Sequence, residues 1–341
     1  MTGIVIHFWE IDNLSLKMKP EFWEESNSIL KEHNYSWNRL LKETDICKST
    51  LRYNKKAFIN IKTLKKVITF LSKIDSKFNF YYIENKFIEK MKYGKGGFVI
   101  NEPKIPINLL EIGWAKIIGA LLTDGCIQRN GKTYFINKNK FLMDKLIEIT
   151  YDLIGNFNPK ITKKRKENKE WFVVILPRLI GAVLIKFAKI KGGSKVKNNV
   201  SIPDFINNLD VNEYQHRLYL YEFLSWMFSC DGYVSPSNYA IGINFNRDLT
   251  DIELKDWKNA SSAPQLLKDT INILRLFNFK INGPYFIEVK QRKDNSYTSK
   301  WRFEISGKQS LAMFKNEIGF ASTEKKEKLN SIFEEMMPCL V

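Results

Sequence analysis

The sequence predicts an α+β fold in which two αββαββα repeats follow a small, mostly helical domain. Three observations carry this expectation: apolar residues at helical spacing near the N-terminus, a glycine-rich joint after them, and an internal repeat over the remainder. At 341 residues the chain is too long for one ordinary domain. The expected domains are residues 1–97, 98–210 and 211–341.

In the first domain Leu40, Leu41, Ile46 and Leu51 are apolar, and polar Thr44-Asp45 falls where a tight turn would separate a pair of short helices. A further helix carries Leu64, Val67, Ile68 and Leu71. This pattern resembles a helix-turn-helix, which would direct Ser49, Thr50 and Arg52 into a DNA major groove. The alternative is a plain helical bundle. Gly94-Lys95-Gly96-Gly97 then reads as a flexible boundary.

Two helices open the repeats, Trp114 to Asp124 and Tyr221 to Asp231, each ending in Asp-Gly. Each is followed by strand-like residues around a turn. Asn130-Gly131 is a two-residue hairpin signal in the first copy, and Ser235 to Asn238 forms the turn in the second. Helical stretches follow at Phe141 to Ile154 and Leu266 to Phe277. Next come strands ending in basic runs, Lys163-Lys164-Arg165-Lys166 and Lys290, Arg292, Lys293. Second strands open at Trp171 and Trp301, and last helices carry Phe187 or Phe314. An insertion between Asn246 and Pro264 lengthens the second copy.

Lys and Arg number 54 against 37 Asp and Glu, a formal balance of +17. Such an excess suits a polyanionic partner, although a lysine-rich solvated surface would also produce it. No apolar run approaches the ~18 residues of a membrane-spanning helix, and Met1 to Glu10 has no signal-peptide character. Cys47, Cys126, Cys230 and Cys339 show no zinc-site or CxxC spacing, so reduced thiols in a cytoplasmic protein are expected.

Glycine after each helix suits a left-handed cap, but a carboxylate at the negative end of a helix needs another reason. If the helices pack side by side, Asp124 and Asp231 meet at one end, and a divalent cation would relieve their repulsion. Oxygen donors favour Mg²⁺ over zinc. Ala115, Gly119 and Thr123 form a smooth face for close helix pairing, and Ser225 and Ser229 could serve similarly on the second helix.

Ile117 to Gly125 and Leu224 to Gly232 resemble the paired motifs of LAGLIDADG homing endonucleases. Lys191 to Lys195 before Ile202-Pro203, and Ile318-Gly319-Phe320 with Lys325 and Leu329, resemble the ends of the two repeats. The likeness covers about Asn101 to Phe333. Leu122 and Ser229 replace the other motif aspartate, and Trp226 stands where the second motif has glycine.

The resemblance implies a monomer of pseudo-twofold symmetry astride double-stranded DNA, with two sheets in the major groove. Asp124 and Asp231 would hold Mg²⁺ (or Mn²⁺), with Gly125 and Gly232 beside them in the metal site. Water would attack each scissile phosphate, the metals stabilising the entering and leaving oxygens. The assisting bases would be Lys195 or Lys197, and Lys325. The basic runs, with Arg129 and Lys132, would contact DNA. The chain's ends lack the nucleophile and terminal His-Asn of an intein, so a free-standing enzyme of intron homing is expected. A non-cleaving DNA-binding regulator and an RNA-intron maturase remain alternatives on the same fold.

Overall fold

The computed structural model describes residues 4–50, 57–166, 169–250, 253 and 263–336. It is a mixed α+β chain with several antiparallel sheets. The chain divides into two compact units. One comprises Met1–Leu109 with Thr150–Pro159 and Pro177–Leu179; the other holds Leu110–Ile149, Lys160–Leu176 and Ile180–Val341.

The first unit contains β1 (Val5–Ile6), β2 (Leu14–Met18), α1 (Pro20–Glu32), α2 (Trp37–Thr44), β3 (Ile59–Asn60), α3 (Ile61–Ile74), α4 (Phe80–Lys86), β4 (Ile88–Tyr93), β5 (Val99–Asn101) and β6 (Ile107–Asn108). An antiparallel sheet in the order β3-β2-β4-β5 accompanies the helices, and β1 pairs with β6. The expectation of a mostly helical domain missed these strands. In β2, Leu14, Leu16 and Met18 do alternate inward, but a run of five residues is too short to stand out from helical neighbours. The expected joint at Gly94–Gly97 is the hairpin between β4 and β5. Gly94 and Gly96 have φ of +69° and +66°, and a Cβ on Gly97 would lie 2.2 Å from the Tyr93 carbonyl oxygen.

The turn expected at Thr44-Asp45 is present: α2 ends there, with Asp45 left-handed at φ 51°. Helix resumes over residues 48–50. Ser49 is exposed and its hydroxyl meets the Cys47 thiol at 2.9 Å. Leu51 and Arg52 lie outside the described residues.

The second unit carries both copies. The first has α5 (Ile112–Leu122), β7 (Gly125–Ile127), β8 (Thr133–Asn137), α6 (Lys140–Ile154), β9 (Lys160–Lys166), β10 (Lys169–Leu176) and α7 (Arg178–Lys186). Segments of α6 and α7 belong to the first unit. Short helices α8 (Lys195–Asn198) and α9 (Asp204–Asn207) follow. The second copy has α10 (Tyr214–Asp231), β11 (Gly232–Ser235), β12 (Ala240–Leu249), α11 (Gln265–Leu276), β13 (Ile281–Gln291), β14 (Tyr297–Ser306), α12 (Lys308–Met313) and α13 (Thr323–Met336). The two sheets have matching orders, β7-β8-β10-β9 and β11-β12-β14-β13. The start of the expected insertion extends β12 to ten residues, while residues 251–252 and 254–262 lie outside the described set.

The first hairpin is longer than its two-residue signal. Gln128 N–H donates to the Lys132 carbonyl, leaving Arg129-Asn130-Gly131 as a three-residue loop with Gly131 at φ 80°. Among the described residues no helix is long and apolar enough to cross a membrane.

Candidate active site at the paired helix ends

Helices α5 and α10 approach closely because Gly119 lacks a side chain. A Cβ there would stand 2.5 Å from the Phe223 carbonyl oxygen and 3.3 Å from the Trp226 Cβ. The Trp226 Cβ therefore borders the space that Gly119 leaves, and only 3% of the residue is exposed. At Gly119 the nearest residues of α10 are Phe223, Trp226 and Met227. Ser229 accepts a hydrogen bond from the Ala321 N–H at 2.6 Å and donates to the Ser225 carbonyl.

Gly125 and Gly232 do not form left-handed caps. Gly232 is extended at φ −72°, and Gly125 is absent from the positive-φ positions. Both are needed because the strand folds back over the last helical turn. A Cβ would lie 2.4 Å from the Leu121 Cα at one site and 2.5 Å from the Phe228 carbonyl oxygen at the other.

This packing brings Asp124 and Asp231 side by side, close enough for each carboxyl to act on the other's proton affinity. Asp124 is half-buried, while Asp231 opens to solvent in a cleft. The proton affinity of both is raised. For Asp124 the thinning of water around the group is the main cause, the neighbouring Asp231 charge adds to it, and the carboxyl is pushed up to about 7. For Asp231 the surrounding protein is likewise the main cause, with Lys195 and Lys325 opposing it.

Each lysine expected near an acid is found at a helix end. Lys325 Nζ donates to the carbonyls of Phe228, Ser229 and Cys230 at 3.0, 2.7 and 3.1 Å. Lys195 Nζ donates to the Thr123 carbonyl. Both satisfy carbonyls that a helix C-terminus leaves open, and both place positive charge beside the carboxyl pair. Burial pulls the proton affinity of both lysines below the ordinary lysine range. Lys197 is exposed, with its amino group 3.8 Å from Asp294, so Lys195 is the lysine at the acids.

Asn137 was not expected from the sequence. Its Nδ2 donates to Asp124 Oδ2 at 2.6 Å from the end of β8. Strand alternation could have found it. Thr133 and Phe135 face inward, so Asn137 is a polar residue on a buried face. Two cavities flank the pair. One of about 150 Å³ is lined by Thr123, Lys195, Asp231 and Asn244; the other, about 220 Å³, by Asn137, Cys230, Gly232 and Lys325.

Among the described residues no three or more His, Cys, Asp or Glu side chains gather as a metal site. Two adjacent carboxylates nevertheless fit Mg²⁺, which commonly takes one or two protein carboxylates and fills its remaining positions with water and phosphate oxygens. The raised proton affinity of both acids marks a place where a cation would be welcome.

The basic residues divide. Lys163, Lys164 and Arg165 are exposed along β9, where Lys163 also meets Glu170 at 2.8 Å; Lys166 ends the strand, its side chain outside the described set. Arg129 is exposed in the hairpin, and Lys132 lies over the Tyr134 ring at 5.0 Å. Lys290 pairs with Glu288 at 3.0 Å and Arg292 with Asp248 at 2.9 Å, while Lys293 is exposed in the following turn. Compared with known protein families and with curated proteins, the sequence matches none.

Proposed function

We propose that this chain is a metal-dependent, site-specific endonuclease of double-stranded DNA, of the LAGLIDADG homing kind. The observation that carries the reading is the meeting of Asp124 and Asp231 at the ends of two tightly packed helices, with Lys195 and Lys325 beside them. The like order of the two four-stranded sheets supports a pseudo-twofold arrangement, and the +17 balance supports a polyanionic partner.

Asp124 and Asp231 would hold Mg²⁺ at the scissile phosphates, with Mn²⁺ as a substitute. The ion supplies Lewis-acid stabilisation of charge on phosphate and a bound water of lowered pKa. The chain's own groups position this chemistry. Asn137 fixes one oxygen of Asp124 and so sets the orientation in which that carboxylate would ligate. Gly125 and Gly232 let the strands turn directly at the acids. Lys195 and Lys325 keep positive charge where the negative phosphate must come close.

The test is incubation with DNA carrying the uninterrupted form of the gene's own locus, with and without Mg²⁺. Metal-dependent double-strand cleavage is expected. Asp124→Asn and Asp231→Asn should each lose about 10²-fold or more of it, as removal of one electrostatic stabiliser typically does. Affinity in gel-shift should hold or rise, because a negative charge facing DNA is removed. Unimpaired cutting by either variant sinks the assignment.

A further inference from the structure

The two sheets of the second unit share an order but not a chemistry. In β14, Ser299, Trp301, Phe303 and Ile305 are buried, which turns Thr298, Lys300, Arg302 and Glu304 to the opposite face. The strand register sets Asp248, Asn246 and Asn244 of β12 across from Thr298, Lys300 and Arg302. On the other side it sets Lys290, Glu288 and Tyr285 of β13 against the same three residues. Successive rungs therefore read Asp-Thr-Lys, Asn-Lys-Glu and Asn-Arg-Tyr, each with donors and acceptors together. Several of these groups are held in place. Asp248 receives Arg292 at 2.9 Å and the Thr298 hydroxyl at 3.2 Å, and Tyr233 donates to Glu304 at 2.7 Å.

In the first sheet, Thr133 and Phe135 of β8 are buried, leaving Tyr134 and Ile136 on the opposite face. Register places Ile175 against Tyr134 and Val173 against Ile136. At the edge strand, Lys160, Thr162 and Lys164 face Ile175, Val173 and Trp171. The middle of this face is aliphatic and aromatic, and among the described side chains its lysines stand on the edge strand. Among the described strand residues of this face none is acidic.

A surface that only grips phosphate gains nothing from carboxylates, which repel it. Carboxylates belong on a DNA-facing surface where they accept from cytosine or hold a basic side chain in one pose, and Asn and Arg are the side chains that pair with adenine and guanine edges. Resting on the DNA reading above, we infer that the second sheet reads base sequence through Asn244, Asn246, Glu288, Lys300 and Arg302. The first sheet holds its half of the site through phosphate contacts from edge lysines and apolar contact with thymine methyls. The target is then lopsided: one half tightly specified, the other tolerant.

The test uses the full chain and a pool of randomised DNA duplexes, selected by binding and sequenced. Sequence information should concentrate in one half of the recovered sites. Arg302→Ala and, independently, Lys300→Gln should relax preference about tenfold or more at contacted positions of that half only. Lys160→Ala with Lys164→Ala should instead weaken binding to all sequences alike, and reduce the log–log salt slope by about 0.9 for each phosphate no longer neutralised. Circular dichroism checks that each variant is folded. Information spread evenly over both halves, or a uniform loss in both second-sheet variants, overturns the division while leaving DNA binding intact. A wild-type chain that retains no duplex from the pool overturns the DNA reading and this inference together.

Discussion

Asn137 donates a 2.6 Å hydrogen bond to Asp124, and the rung that matches it in the second sheet is held by Phe245, which has none to give. The equivalence follows from register: Gly125 pairs with Phe135 two residues before Asn137, and Gly232 pairs with Ile243 two residues before Phe245. The two acids are therefore supported unequally. Asn137→Leu should slow one strand's cut about tenfold, so that nicked plasmid accumulates, while duplex affinity is unchanged. Phe245→Asn should speed whichever strand is slow in the wild type. End-labelled strands followed separately through a time course would check both, and equal slowing of the two strands by Asn137→Leu would remove Asn137 from this role.

The metal-free protein should lose stability as pH rises from about 4 to about 7. The Asp124 carboxyl moves from 3.8 to about 7 on folding, so between those values the folded chain binds more protons than the unfolded one. Stability falls with pH wherever that holds. Its contribution is fully present below the unfolded value and is lost as pH passes the folded one. Asp124→Asn should flatten the curve, and Mg²⁺ should restore stability at the alkaline end. Thermal unfolding across pH, with chelator and with Mg²⁺, would decide it; an apo curve that climbs through this window counts against the shared-proton site.

Gly119→Ala should destabilise the second unit by about 1–3 kcal/mol, the usual cost of overfilling a packed interior. The obstacle is the Phe223 carbonyl oxygen, 2.5 Å from the new Cβ, and backbone cannot swing aside as a side chain can. Ala120→Gly on the same helix is the opposite change, a buried methyl lost together with about 1 kcal/mol of helix propensity, and destabilises by underfilling. Denaturant unfolding of both variants would separate the two effects.

Lys325→Met should cost more stability than Lys195→Met. The first leaves the carbonyls of Phe228, Ser229 and Cys230 without their cation, the second that of Thr123. Melting temperatures for the pair provide the comparison. Both variants should also cut more slowly, because charge beside the acids is removed.

Much of the site is legible in the sequence because it occurs twice. Apolar helix, Asp and Gly recur at Asp124 and Asp231, and Trp171 and Lys195 stand as far from Trp301 and Lys325 as each other (301 − 171 and 325 − 195 both give 130). What occurs once is harder to read. Asn137 has no counterpart at Phe245, so comparing the copies hides it; only its inward place in β8 gives it away. Glycine after each aspartate was legible as a requirement, but its cause was not: steric closure against Leu121 and Phe228 is a tertiary fact. Three strands of the first unit, β1, β3 and β6, have two residues each, too few to show any period.

The fit of Trp226 against Gly119 also governs which halves can mate. Two copies of α5 brought to the same separation would set glycine against glycine and meet no obstruction at that level. Two copies of α10 would set Trp226 against Trp226 with no glycine between them, and could close only by moving apart. A detached first half thus retains a face able to pair with its own kind, whereas a detached second half is obliged to seek the other. The match makes the order of the halves along one polypeptide immaterial to closure, but obliges at least one member of any closed pair to be a first half.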